Sequence, residues 1–195
     1  MPKICEGNER PDFQLGPKFD TAILDEELAA IERAYPVLEL VPYHDSEWCG
    51  IALHSVDGNE RDLSGGRGAE TSYFRFTPAA ELTPYMRSIA EGLGAPLRAV
   101  RLLFLPPGGV IHPHTDNLPL KIGHPCRLHV PIRTNDLVQF QIGEYLCNWK
   151  PGELWYADFT IVHTVINRSK ETRVHLVIDI VLNEQVEKVI CLHGM

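Results

Sequence analysis

The sequence predicts a mainly β chain in which N-terminal helices lean on an antiparallel β-sandwich or barrel. Three observations carry this. After Gly94, short apolar stretches alternate with Pro, Gly and Asn punctuation, at residues 99–105, 126–132, 138–142, 154–156, 162–166 and 174–182, with no helical pattern between them. Before Gly94, two segments carry helical periodicity instead. Between those two, the polar, glycine-rich residues 57–70 read as a loop.

In the first helical segment, residues 20–35, Asp20 supplies an N-cap, Leu24, Leu28 and Ile31 share one face, and Pro36 ends the pattern. In the second, Thr83 is the cap and Pro84 the first helical residue. Tyr85, Met86, Ile89, Ala90 and Leu93 follow before Gly94. Residues 167–172 (NRSKET) form the best hairpin turn. With no repeat, low-complexity stretch or linker, residues 1–195 read as one domain. It has a helical part to about residue 97, a β core over about 98–182 and a tail over 183–195.

Hydrophobic residues at 44% and charged residues at 23% fit a soluble globular protein. A net charge of -8 argues against a nucleic-acid partner, because phosphate binding needs a basic face. No apolar run approaches the roughly 18 residues of a membrane span. The start, MPKICEGNERPDF, lacks the apolar core of a secretory signal. Cys5, Cys49, Cys126, Cys147 and Cys191 are odd in number and make no C-x-x-C pair, so they read as free, packing thiols in a reducing cytoplasm.

The chemistry concentrates near His114 and Asp116, which follow the turn-rich 106–109. Two residues apart on an extended segment, the imidazole and carboxylate project to one side. His163 lies in a later strand stretch. Two histidines and one carboxylate are what a ferrous ion needs for a facial triad, which leaves positions open for a bidentate co-substrate and O₂. Arg173, across the turn from His163, has the planar fork to clamp a dicarboxylate. His112 competes as a ligand. His44, His54, His124 and His193 read as surface or loop residues. Two strands also set a cation and an imidazole opposite an apolar face: Arg127 and His129 against Leu128, Val130 and Ile132, and Arg173 and His175 against Val174, Leu176 and Ile178. If buried, those cations need partners, which a dicarboxylate and a metal would supply; if exposed, they need none.

Through HPHTD, RLHVPIRTN, NWKPGELWYADFTIVHTVIN and RVHLVIDI, roughly residues 98–182, the chain resembles the aspartyl/asparaginyl β-hydroxylase family, and within it the bacterial proline cis-hydroxylases. The resemblance implies a double-stranded β-helix, a cupin-like jelly roll. It also implies an iron(II), 2-oxoglutarate and O₂-dependent dioxygenase that hydroxylates a carbon of a small amino-acid-like molecule and releases succinate and CO₂. It makes His114, Asp116 and His163 the catalytic iron ligands and Arg173 the partner of the distal carboxylate of 2-oxoglutarate. Arg127 and His129 correspond to the family's R-x-H that helps hold the same co-substrate. Animal members carry H-T-G where Asp116 stands here, and family halogenases also lack the carboxylate, so Asp116 indicates hydroxylation. Leu103 stands where animal members have a serine that contacts 2-oxoglutarate.

For the substrate, Arg133 and Asn135 are candidate contacts to a carboxylate or amine. Trp155, with Trp149 and Tyr156, either lines the mouth or packs the barrel end, and Asp158 is a turn residue. The compact length favours a free amino acid. A β-hydroxylase of an Asp or Asn residue in a peptide or carrier-bound chain, and a non-catalytic jelly-roll binder of metal or 2-oxoglutarate, are the alternatives.

Overall fold

Among the described residues twelve strands and three α-helices build the fold, and the chain alternates between two sheets as it runs through them. The computed structural model describes residues 10–16, 18–36, 41–42, 48–66 and 68–193; Cys5 and His44 lie outside the described residues. In chain order the elements are β1 (Asp12–Gln14), α1 (Thr21–Ala34), β2 (Val41–Pro42), β3 (Cys49–Val56), β4 (Phe74–Phe76), α2 (Pro84–Glu91), β5 (Leu97–Leu105), β6 (Val110–His114), β7 (Pro125–Arg133), β8 (Val138–Ile142), β9 (Tyr145–Cys147), β10 (Trp155–Ala157), β11 (His163–Asn167), β12 (Arg173–Val181) and α3 (Glu184–His193).

The major sheet has the order β1-β10-β7-β12-β5-β3-β2, with β4 on β3, and the minor sheet the order β6-β11-β8-β9. From β5 to β12 the chain passes from one sheet to the other and back, which is the winding of a double-stranded β-helix. The expected fold is therefore the observed one. The six predicted core stretches correspond to β5, β7, β8, β10, β11 and β12. Residues 167–172 do form a tight turn, in which Asn167 Nδ2 donates to Leu105 O at 2.9 Å and Glu171 O at 2.8 Å. It is not a hairpin, however: β11 belongs to the minor sheet and β12 to the major one.

The stretch before residue 97 is less helical than its periodicity suggests, since β1 to β4 also lie there and extend the major sheet on both sides. The expected tail carries α3, whose first turn is capped by Asn183 Oδ1 accepting from Val186 N at 2.9 Å. Asp20 caps α1 by accepting from Ala22 N at 2.9 Å. Leu24, Leu28 and Ile31 are fully buried, each worth about 1.5–3 kcal/mol of burial. Thr83 makes no side-chain cap to α2. Glu27 of α1 does so instead, accepting from Tyr85 N at 2.6 Å and Met86 N at 2.9 Å. That contact ties the two helices together.

Strand alternation divides the major sheet into two faces. Leu128, Val130, Val174, Leu176, Ile178, Val100 and Leu102 point to the helices and form the larger core with Leu24, Met86 and Ile190. The opposite face looks at the minor sheet across a smaller cluster that includes Phe140, Trp149, Trp155 and Phe159. Arg127, His129, Arg173 and His175 lie on that inner face. They are withdrawn from solvent, Arg127 in part and the others fully, so the exposed alternative for these residues does not hold.

Candidate active site

His114 ends β6 and His163 begins β11, and the antiparallel register sets them directly opposite each other. Their ring centroids lie 4.2 Å apart. Asp116 follows two residues later, in a segment held by Asp116 N donating to Phe159 O at 2.8 Å. The three side chains bring one ligand atom each within 4.8 Å of one another, the only such group found among the described residues. His112 is exposed and outside it.

Backbone carbonyls set the tautomers. His114 Nδ1 lies 2.8 Å from His112 O, and His163 Nδ1 lies 3.0 Å from Ile161 O. A carbonyl can only accept, so both Nδ1 atoms carry the proton and both Nε2 lone pairs are left to bind. Burial lowers the pKa of His163, with the nearby His114 and Arg127 acting the same way, which favours the neutral ligand form. Two imidazole nitrogens and a carboxylate oxygen at this spacing fit a divalent first-row metal with open positions.

The cluster sits at the mouth of an open cleft whose walls include Trp48, Leu105, Phe140 and Phe159. Arg127, His129, Leu103 and Arg173 line the same cleft. Arg173 is 4% exposed. It donates from Nη2 to His175 Nδ1 at 2.9 Å, its Nε has no hydrogen-bond partner, and no carboxylate lies within ion-pairing distance of it among the described residues. Burial pushes its pKa down to about 9. His129 and His175 are pushed well below the usual histidine range, first by burial and then by Arg173. The inner cleft thus holds one unpaired cation beside two neutral imidazoles, and His129 Nε2 is buried without a partner.

Three sequence candidates stand elsewhere. Arg133 pairs with Glu32 of α1 at 2.8 Å. Asn135 is a turn residue whose Oδ1 accepts from Leu137 N at 3.0 Å. Trp155 stacks on Trp149 at 5.3 Å and donates to Glu153 Oε2 at 3.1 Å. None of them lines the cleft. Asp158 is the expected turn residue, accepting from Thr160 N at 3.0 Å. His54 is buried on β3 against Phe74 and Phe76, contrary to its surface reading, because strand β3 was not foreseen. Trp48, Phe140 and Phe159 on the cleft wall were not singled out either; an isolated aromatic carries no positional signal.

Fold and site together define a double-stranded β-helix protein with a two-histidine, one-carboxylate cluster at the mouth of its cleft. The chain belongs to the aspartyl/asparaginyl β-hydroxylase family, whose profile matches residues 23–182. The L-proline cis-4-hydroxylase of Rhizobium meliloti (strain 1021) is 27% identical over 165 residues, covering 83% of this chain and 58% of that protein. The L-proline cis-3-hydroxylase 1 of a Streptomyces species is 26% identical over 137 residues, covering 68% of this chain and 47% of that protein. The matched part is thus about half the length of these relatives. Among solved structures, the non-heme alpha ketoglutarate dependent carbocyclase SnoK from nogalamycin biosynthesis shares the fold at a TM-score of 0.58 and 12% identity, covering 88% of this chain and 80% of that one.

Proposed function

We propose that the chain is an iron(II)/2-oxoglutarate-dependent dioxygenase that hydroxylates an unactivated carbon of a free amino acid or amino-acid-like small molecule, with release of succinate and CO₂. One observation carries the reading: a two-histidine, one-carboxylate cluster faces a cleft whose inner end holds a buried arginine with no counter-ion among the described residues. The names of the two proline hydroxylases support a free amino acid as the substrate class. The free thiols among the described cysteines support a reducing, cytoplasmic setting. No helix among the described residues is long and apolar enough to cross a membrane.

In this reading His114 Nε2, His163 Nε2 and one oxygen of Asp116 hold the metal. Bound iron with 2-oxoglutarate and O₂ supplies the oxidative decarboxylation and the oxygen transfer. Arg173 anchors the distal carboxylate of the co-substrate, and its charge acts strongly there because the guanidinium is buried. His175 Nδ1 accepts from Arg173 Nη2 and so orients the guanidinium. His129 Nε2 offers a further polar contact in the same inner cleft. Trp48, Phe140 and Phe159 exclude water from the reacting end, and positioning of the substrate carbon decides what is oxidised. The test is a screen of free amino acids for substrate-stimulated succinate release by anaerobically iron-loaded protein. A chain that binds metal and 2-oxoglutarate but releases no succinate above background with any amino acid, free or in a peptide, refutes the enzymatic reading.

A further inference from the structure

Beyond the three candidate ligands, a charged chain runs through the inner face of the major sheet. Asp179 lies on β12 at the same parity as Arg173 and His175, and the β12–β7 register sets it directly opposite Arg127. It is 3% exposed. Arg127 grips it side-on, donating from Nε to Oδ1 at 2.7 Å and from Nη2 to Oδ2 at 3.1 Å. Arg101 of β5 also donates to Asp179 Oδ2, and sends its other terminal nitrogen to Leu63 O at 2.9 Å. The glycine-rich loop closes over the carboxylate: Gly65 has φ +73°, and a Cβ there would lie 3.3 Å from Asp179 Oδ2. Burial alone would raise the Asp179 carboxyl, but Arg101 and Arg127 outweigh it and hold it ionised.

The last donor of this chain points at the metal cluster. Arg127 Nη1 donates to Asp116 Oδ2, while Asp116 Oδ1 faces His114 Nε2 at 4.0 Å. Because Nε and Nη2 are committed to Asp179, Arg127 meets Asp116 with one end of its fork and takes one oxygen. A guanidinium released from Asp179 would be free to turn its full fork onto Asp116 and take both. Buried ion pairs add little net stability, so orientation is the better account of why the charges are there.

We propose that Asp179 is a positioning residue for the metal site: it turns Arg127 so that Arg127 holds one oxygen of Asp116 and leaves the other to the metal. The proposal rests on the reading above, that His114, Asp116 and His163 hold a metal. It also gives Arg127 a second role beside the co-substrate contact that the resemblance implies. With Asp116 giving one oxygen, a divalent metal held by this cluster would keep positions open for a chelating keto acid and for O₂.

Co(II) titration of the protein without 2-oxoglutarate tests it, in wild type, Asp179→Asn, Arg127→Gln and the double variant. Asp179→Asn should weaken Co(II) binding about tenfold or more, the usual range for an outer residue that orients a ligand. Arg127→Gln removes a cation that competes for Asp116, so its Co(II) affinity should stay at or above wild type. In the double variant the loss should disappear, because Asp179 acts through Arg127. Wild-type affinity in Asp179→Asn, or losses that add in the double variant, would overturn the proposal. If Asp179→Asn does not fold, Arg127→Gln decides alone, and a tenfold loss of Co(II) affinity there is the overturning result. A wild type that takes up no Co(II) sinks the metal-site reading itself and this inference with it.

Discussion

Replacing Arg173 by methionine should separate function from stability, because the two effects have opposite signs. The guanidinium is buried with His175 as its hydrogen-bond partner and the Phe140 ring 5.8 Å away. Its pKa falls from the ordinary 12.5 to about 9, a burden on the charged form on the order of 5 kcal/mol at about 1.36 kcal/mol per pKa unit. A flexible apolar side chain removes that burden, so the ligand-free variant should melt higher than wild type. For a chain of 195 residues each kcal/mol is worth about 2–4 °C. A bound dicarboxylate loses its charged partner in the same variant. That typically costs about 2–5 kcal/mol, or roughly 30- to 4,000-fold in the apparent dissociation constant of 2-oxoglutarate. Arg173→Lys should rescue only in part, since an ammonium cannot make the two-pronged contact.

The assay is thermal unfolding of Mn(II)-loaded wild type and variant, with and without 2-oxoglutarate, over a pH series. Arg173 is a base whose pKa is lower in the folded state than in the unfolded one, so the unfolded chain binds more protons between those two values. The stability handicap of wild type is therefore full below about pH 9 and fades as pH rises through and above it. The gap between variant and wild type should narrow over the same window. A ligand-free Arg173→Met that melts below wild type, and is still stabilised by 2-oxoglutarate as much as wild type is, would refute both halves of the reasoning.

The other predictions concern the metal cluster and the helices. His163→Ala should abolish metal binding and turnover while His112→Ala keeps both; the reverse pattern in a metal titration would move the ligand assignment. Asp116→Gly should mainly lose activity with at most trace chlorination, because a ligand and a charge go together. Mass spectrometry of the product with and without chloride checks this, and chlorinated product from wild type would contradict a hydroxylase. Glu27→Ala should remove the cap that α1 supplies to α2 and destabilise the fold by about 1–2 kcal/mol. An unchanged melting temperature there would mean that Thr83 or water takes over the two amides.

What could be read in the sequence divides along the line between local and long-range physics. The six core strand stretches are legible because alternation and turn residues are local signals, and the helix at 20–35 is legible because its cap and apolar stripe lie within it. Strand β6 is hidden: VIHPH mixes a proline with two histidines and so breaks the apolar alternation, and of the two only His114 joins the metal cluster. The cap on α2 is hidden for another reason, since Glu27 lies 58 positions from Tyr85 and no window spans both. The turn at 167–172 shows its chemistry but not its partner, because whether two strands pair or part into separate sheets depends on residues outside the turn. The site is legible through the same alternation that marks the core. Arg127, His129, Arg173 and His175 stand out because polar residues occupy one parity of otherwise apolar strands, and the structure buries that parity between the sheets. Asp179 has the same parity and sits between Ile178 and Ile180, both buried on the helix side. A carboxylate there needs a cation on a neighbouring strand. Arg127 and Arg101 supply two, and the first of them leads back to Asp116. The polar parity of β12 therefore marks both ends of the proposed site, the co-substrate anchor assigned to Arg173 and the support of Asp116 assigned to Asp179.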